Sequence, residues 1–288
     1  MKYVIITAAR DEESNIERTI QSVLAQTVQP SEWVIVNDGS RDKTGDIAER
    51  YAAQFQWIRA LHRIDRGVRK SGGGVIETFT DGFFALTVKD WDFIVKLDGD
   101  LSFGPHYFEQ CLLEFESDTK LGIGGGTVCL MTNSGEQVES RTDPRFHVRG
   151  ATKIYRRACY EAIGGLLVAT GWDTLDEVKA NMLGWRTRTF PGPRLVHHRQ
   201  TGAADGSWND SMKNGLANYV TGYHPLFMAC KCIRRMLRKP WSPSGIALWL
   251  GFMKGYLNHI PQVDDPAMIR YLRNQQWRAL TLRPSLWN

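Results

Sequence analysis

"YVIITAARDEESNIERTIQSVLAQTVQPSEWVIVNDGS", residues 3–40, decides the fold. It opens with an apolar run that reads as a β-strand. Residues 12–26 then bring Ile16, Ile20, Val23 and Leu24 back at helical spacing, so one face of a helix is apolar. A second apolar run at 33–36 ends in the polar turn 37–40. Residues 42–55 repeat the helix and 58–62 the strand. The strands are too uniformly apolar to turn a face to water. Strands of that kind, alternating with helices, predict an α/β fold: a mainly parallel sheet with helices on both faces. Ligands on such sheets bind beyond the carboxyl ends of the strands. Attention therefore falls on residues 10–12, on 37–40 and on the end of the next apolar run, "DFIVKLD" at 92–98.

That run stops at Asp98, with Asp100 two residues on and Gly99 between. Residues two apart on a strand share a face, and glycine permits a turn and the close approach of a ligand. Two carboxylates held together repel each other and need a counter-charge. A divalent cation supplies one, and oxygen ligands suit Mg²⁺ or Mn²⁺, which commonly complete their shells with substrate phosphates. The plain alternative is a solvated turn.

The 288 residues suffice for one large domain, or a domain with a smaller appendage. Apolar residues make up 42%, which argues against disorder, and the net charge of +5 suits an anionic ligand or surface. Five cysteines (Cys111, Cys129, Cys159, Cys230, Cys232) show no spacing of a disulfide framework, so a reducing compartment is expected. Neither a signal peptide nor an apolar stretch long enough to span a bilayer is read here.

In the order and spacing of its motifs the chain resembles the inverting, metal-dependent glycosyltransferases of family 2, which have the GT-A fold. The family's proline-alanine-x-asparagine-glutamate stretch corresponds to "AARDEESNI", with Ala8 at the proline, Asp11 at the asparagine and Glu12 kept. Its D-D-G-S turn is "NDGS", with Asn37 replacing the first aspartate and Asp38 retained. Its D-x-D motif is Asp98-Gly99-Asp100. "RRACYEAIGGL" matches the arginine and paired glycines that precede an acidic motif, and that motif is Trp172-Asp173 here, with the aspartate alone surviving. The Q-x-x-R-W motif of processive polysaccharide synthases is missing. The resemblance covers about residues 1–200. It implies a GT-A catalytic domain, taken as 1–204, because after Gln200 the composition turns polar and glycine-rich and then helical; the mainly helical region at 205–288 is expected to serve a membrane surface or self-association.

The resemblance also implies roles. The donor is a nucleotide-diphosphate sugar. Ala8 (through its backbone), Glu12 and Asp38 surround base and ribose. Asp98 holds the ribose or assists the metal, and Asp100 binds Mg²⁺ or Mn²⁺. A histidine after the strand at 186–199 serves as metal or diphosphate ligand: His198, with His197 as the alternative, since neighbours on a strand face opposite ways. Arg199 beside them is placed to meet phosphate. Asp173 is the general base that takes the proton of the acceptor hydroxyl. Asp176 and Glu177, three and four residues on, share its side of the helix and could be mistaken for the base, or tune it. Plainer readings stand beside these: turn formation for Asp38, helix capping for Asp173 and a first-turn carboxylate for Glu12. In "RGVRKSGGG" at 66–74, Arg69 and Lys70 precede a helix start and are candidates to receive the diphosphate.

The segment at 225–240 places Leu226, Ala229, Ile233 and Leu237 on one helical stripe, and Lys231, Arg234, Arg235 and Arg238 on another. This suits a helix lying at an anionic membrane surface, or one packed on the domain with a wet cationic face. With the apolar "SGIALWLGFMKGYLNHI" that follows, the acceptor is expected to be a glycan or a lipid-linked carrier. The expected location is the cytoplasm, on or near the cytoplasmic face of the membrane. No nucleic-acid motif is present, and the last helix, 265–282, suits packing or homo-oligomer formation. The competing readings are a nucleotidyltransferase, whose glycine-rich basic signature is missing near the first strand, and a sugar-nucleotide or carbohydrate binder without turnover.

Overall fold

In the computed structural model, which describes residues 1–67, 73–132, 135–140, 143–199, 206–237 and 243–287, the N-terminal strands lie side by side in parallel. Strand β1 (Tyr3–Ala9) sits between β2 (Glu32–Asn37) and β4 (Phe93–Leu97), and β3 (Ile58–His62) extends the sheet beyond β2. Ala9 pairs beside Asn37, and Asn37 beside His62, so the carboxyl ends of three strands finish level. Alternate residues of β1 enter different cores. Tyr3 and Ile5 meet helices α1 (Ile16–Leu24), α2 (Thr44–Ala52) and α4 (Tyr107–Ser117) on one face. Val4 and Ile6 meet α3 (Gly73–Ala85) and α5 (Arg157–Ile163) on the other. Burial on both faces is why these strands carry no polar alternation.

Beyond β4 the sheet is mixed. Strand β8 (Thr152–Arg156) runs antiparallel to β4 and to β6 (Leu121–Thr132), whereas β9 (Arg186–His197) runs parallel to β6. The hairpin strand β7 (Gly135–Val138) pairs with the end of β6. Strand β9 is internal, between β6 and the short strand that follows β4. Residues 101–103 turn back as β5 (Leu101–Phe103) and pair antiparallel with its end, Leu101 opposite His197. That short strand was not foreseen, and it delivers the end of β9 to the turn at Asp98–Asp100.

Helix α6 (Trp172–Met182) joins the sheet to the C-terminal helices α7 (Gly206–Val220), α8 (Pro225–Met236), α9 (Ser244–Leu257) and α10 (Pro266–Leu280). Leu175 and Val178 of α6 share one core with Tyr219, Tyr223, Met228, Cys232, Leu248, Phe252, Met268 and Leu272. The polar, glycine-rich stretch up to residue 215 is already helical from Gly206, because its glycines let two helices touch backbone to backbone. A Cβ at Gly215 would stand 2.0 Å from the Leu248 carbonyl oxygen, and one at Gly251 2.0 Å from that of Met212. The division expected at 204/205 falls outside the described residues. Helix α8 buries Met228 and Cys232 and turns its other apolar stripe outward: Leu226, Ile233 and Leu237 are 49%, 51% and 62% exposed. Among the described residues no helix is long and apolar enough to cross a membrane.

Candidate active site

Three chain segments converge beyond the sheet's carboxyl edge. The first is the turn after β4. Asp98 donates its backbone N–H to the Ala151 carbonyl at 2.9 Å, which fixes the turn against the segment entering β8. Gly99 is needed for contact rather than for backbone freedom, since a Cβ there would stand 3.0 Å from Ile16 Cδ1 and 3.6 Å from Glu12 Cγ. Asp100 follows, buried, with its carbonyl accepting the backbone N–H of His198 at 2.9 Å.

The second segment is the start of α1, which brings Glu12. Its backbone N–H is held by Thr44 Oγ1 at 2.7 Å. Burial raises the Glu12 carboxyl, the Asp100 charge adds to the rise, and the group titrates at about 7. The third is the exit of β9. His197 Nε2 stands 3.3 Å from Asp100 Oδ2, and its Nδ1 lies 3.5 Å from Glu139 Oε2. Burial opposes charge on this imidazole, but its contacts with Asp100 and Glu139 prevail and lift it to about 10. His198, the first choice of the sequence reading, turns outward and meets Ser102 Oγ at 2.7 Å, so His197 is the histidine against Asp100. Arg199 reaches across to pair with Glu12 and stands 3.9 Å from Asp100 Oδ2.

Asp100 Oδ1 is buried and has no hydrogen-bond partner among the described residues. A buried carboxylate oxygen without a donor is costly. With His197 beside it, this carboxylate oxygen fits a hard divalent cation. As it stands, though, no group of three or more His, Cys, Asp or Glu side chains among the described residues is arranged to hold a metal ion.

Asp38 lies at the end of β2, with Ala8 two registers away on β1. Its carboxylate is engaged at both oxygens, by Arg63 at 2.8 Å and by Arg66 at 2.6 Å. Those arginines pair in turn with Asp81 and Glu77. The sequence reading did not single out Arg63 or Arg66. Their signal was position alone, cations directly after the third strand of a parallel sheet. Arg69 and Lys70 lie outside the described residues.

Asp173 occupies the first turn of α6, half-buried, its Cβ 3.5 Å from where a Gly150 Cβ would stand. Its carboxylate makes no hydrogen bond or ion pair with the described residues. Asp176 and Glu177 differ sharply from it. Both are buried against Lys153, which is itself fully buried: its ammonium lies 3.0 Å from Asp176 and 2.8 Å from Glu177. Tyr155 donates to Asp176 at 2.6 Å, and His147 Nδ1 meets Glu177 at 2.9 Å. Burial raises the Asp176 carboxyl to about 6, and Lys153 works against that rise. Every carboxylate oxygen of both acids is buried and already engaged. Of the three acids at this helix start, Asp173 alone is open.

The "Glycosyl transferase family 2" profile matches residues 4–165. Curated relatives include a putative glycosyltransferase, EpsH, of Bacillus subtilis, 28% identical over 55% of this chain and 48% of that protein. They also include the glycosyltransferase AglD of Haloferax volcanii, 27% identical over 65% of this chain and 32% of that protein. The chain thus spans about half, or less, of the length of these relatives. Among solved structures, a mannosyltransferase of Pyrobaculum calidifontis in complex with GDP-Man and Mn²⁺ aligns over 99% of this chain and 76% of that one, with a TM-score of 0.56 at 17% identity. Staphylococcus aureus TarS aligns over 90% and 73%, with a TM-score of 0.54 at 14% identity. The chain belongs to glycosyltransferase family 2 and has the GT-A fold of these neighbours.

Proposed function

We propose that this family 2 member moves a sugar from a nucleotide-diphosphate donor to an acceptor hydroxyl, with inversion and with the help of Mg²⁺ or Mn²⁺. The observation that carries the reading is the unpartnered, buried Asp100 Oδ1 at the carboxyl edge of the sheet. Asp100 and His197 are the residues that would hold the ion, and Asp98 lies beside them. When bound, the ion offsets the charge of the departing diphosphate. The mannosyltransferase neighbour, solved with GDP-Man and Mn²⁺, and TarS, solved with UDP-GlcNAc, support both the donor class and the ion.

The chain's own residues do the rest. Asp38, neutralised by Arg63 and Arg66, and the Ala8 backbone would receive base and ribose, together with Glu12. Displacement from the face opposite the diphosphate needs one base and no enzyme nucleophile. Asp173 is the carboxylate available for it, since Asp176 and Glu177 are locked on Lys153. The acceptor is a glycan or a lipid-linked sugar. The outward stripe of α8, flanked by Arg234 and Arg235, supports contact with an anionic membrane surface.

A screen of nucleotide sugars with Mn²⁺, and again with EDTA, tests the reading. Nucleotide release that requires the ion, with inverted anomeric configuration in the product by NMR, supports it. Release of pyrophosphate from a nucleoside triphosphate, or binding of every donor without turnover on glycan and lipid-linked acceptors, opposes it.

A further inference from the structure

Lys96 is a charged residue in the middle of β4, whose other residues are Phe93, Ile94, Val95 and Leu97. Its side chain is 3% exposed. A buried ammonium needs partners, and here they are specific. Its Nζ is bonded to Asp98 Oδ1 and donates to the Gly150 carbonyl at 2.5 Å. From the remaining side the Trp172 ring faces it, 5.3 Å from ammonium to ring centroid. The same ring faces the Lys153 ammonium at 5.4 Å. Two lysines therefore share one indole, which attracts both and keeps them apart. A carboxylate at position 172 would compete with Asp98 for Lys96, and the indole does not.

We propose that Lys96 is a positioning residue that withholds Asp98 from the metal and presents it to the donor. This rests on the donor and metal reading above. A carboxylate that already carries an ammonium on one oxygen is a poor ligand for a dication, because the two cations repel. Its second oxygen, which has no hydrogen-bond partner among the described residues, remains to accept a hydrogen bond from a hydroxyl such as that of a ribose. The two aspartates of the turn then divide their work. Asp100, with its bare buried oxygen, takes the ion, and Asp98, held by Lys96, takes the nucleoside. Lys96 orients a neighbouring side chain and touches no substrate itself.

The test is calorimetric titration of wild type and Lys96→Met with Mn²⁺ alone, and with UDP or GDP in saturating Mn²⁺. Removing Lys96 frees Asp98 to join the ion. Mn²⁺ alone should then bind at least about fivefold more tightly, while the nucleotide binds about tenfold more weakly for loss of an oriented, charged hydrogen-bond acceptor. A role limited to holding the fold would weaken both. In the Asp98→Asn background the gain in Mn²⁺ affinity on adding Lys96→Met should shrink, and that pair of neutral side chains serves if the single variant folds poorly. Lys96→Arg, which keeps the charge, should restore the wild-type order of affinities. Affinities for ion and nucleotide that move together, or a gain of equal size in the Asp98→Asn background, overturn the inference. A wild-type protein that binds neither Mn²⁺ nor either nucleotide overturns the donor reading beneath it.

Discussion

Replacing Lys153 with Met should lower the melting temperature of the protein markedly. Lys153 has no exposed side-chain surface, and its ammonium is the shared counter-charge of two equally buried carboxylates, 3.0 Å from Asp176 and 2.8 Å from Glu177. It also donates to the Asp173 carbonyl at 2.5 Å. Methionine fills nearly the same volume, so the loss is almost wholly electrostatic. Removing one partner of a buried ion pair costs about 3–5 kcal/mol. At about 2 °C per kcal/mol for a chain of this size, the melting temperature should fall by about 6–10 °C.

The pH dependence of that deficit is a second check. The Asp176 carboxyl already sits at about 6, above its usual value of 3.8, because of burial, and Lys153 opposes the rise. Without Lys153 it rises further. An acid whose folded-state pKa exceeds its unfolded value penalises the fold fully above the folded pKa, and the penalty fades as pH falls toward the unfolded value. The gap between variant and wild type should therefore be wide at pH 8 and narrower at pH 5. Scanning calorimetry at both pH values measures it. A Lys153→Met protein that melts within about 1 °C of wild type at pH 8 would refute the claim that this network is a closed, buried unit.

Asp173→Asn should bind UDP or GDP with Mn²⁺ about as well as wild type yet lose turnover by at least about a hundredfold; near-full turnover on the true acceptor would place the base elsewhere. Glu12→Gln should stabilise the metal-free protein at pH 8.5 by on the order of 3 kcal/mol, because burial and the Asp100 charge raise Glu12 from 4.5 to about 7. That advantage should vanish as pH falls from 7 toward 4.5, and melting curves across the range would show it; a constant difference would count against the assigned burial and Asp100 repulsion. Gly215→Ala should lower stability by about 2 kcal/mol or more, since its Cβ would press on the Leu248 carbonyl, and an unchanged melting temperature would contradict the close crossing of α7 and α9.

The sheet could be read from sequence because its information is local. Uniformly apolar strands alternating with amphipathic helices leave few arrangements, and the acids that follow them fall at the strand ends. What could not be read depends on pairing between distant segments. Nothing near residue 199 says that its guanidinium will meet Glu12, and nothing near residue 101 says that three residues will turn β9 into an internal strand and choose His197 over His198. Lys96 did leave a trace, a lone cation inside an apolar strand two residues before an aspartate. Lys153 left a similar one in "TKIYR". Period and propensity do not show which acid each lysine meets, because the partners of Lys153 sit 23 and 24 residues away on a helix. The outward stripe of α8 was visible as a stripe, but its direction is set by Met228 and Cys232 docking on the core shared with α6.

The most direct measurement of the central claim is an anomalous-scattering map from crystals grown with Mn²⁺ and UDP or GDP. The account predicts a manganese peak about 2.1 Å from Asp100 Oδ1, in contact with the nucleotide's diphosphate. A nucleotide bound with its ion away from Asp100, or a diphosphate held at another edge of the sheet, would contradict it.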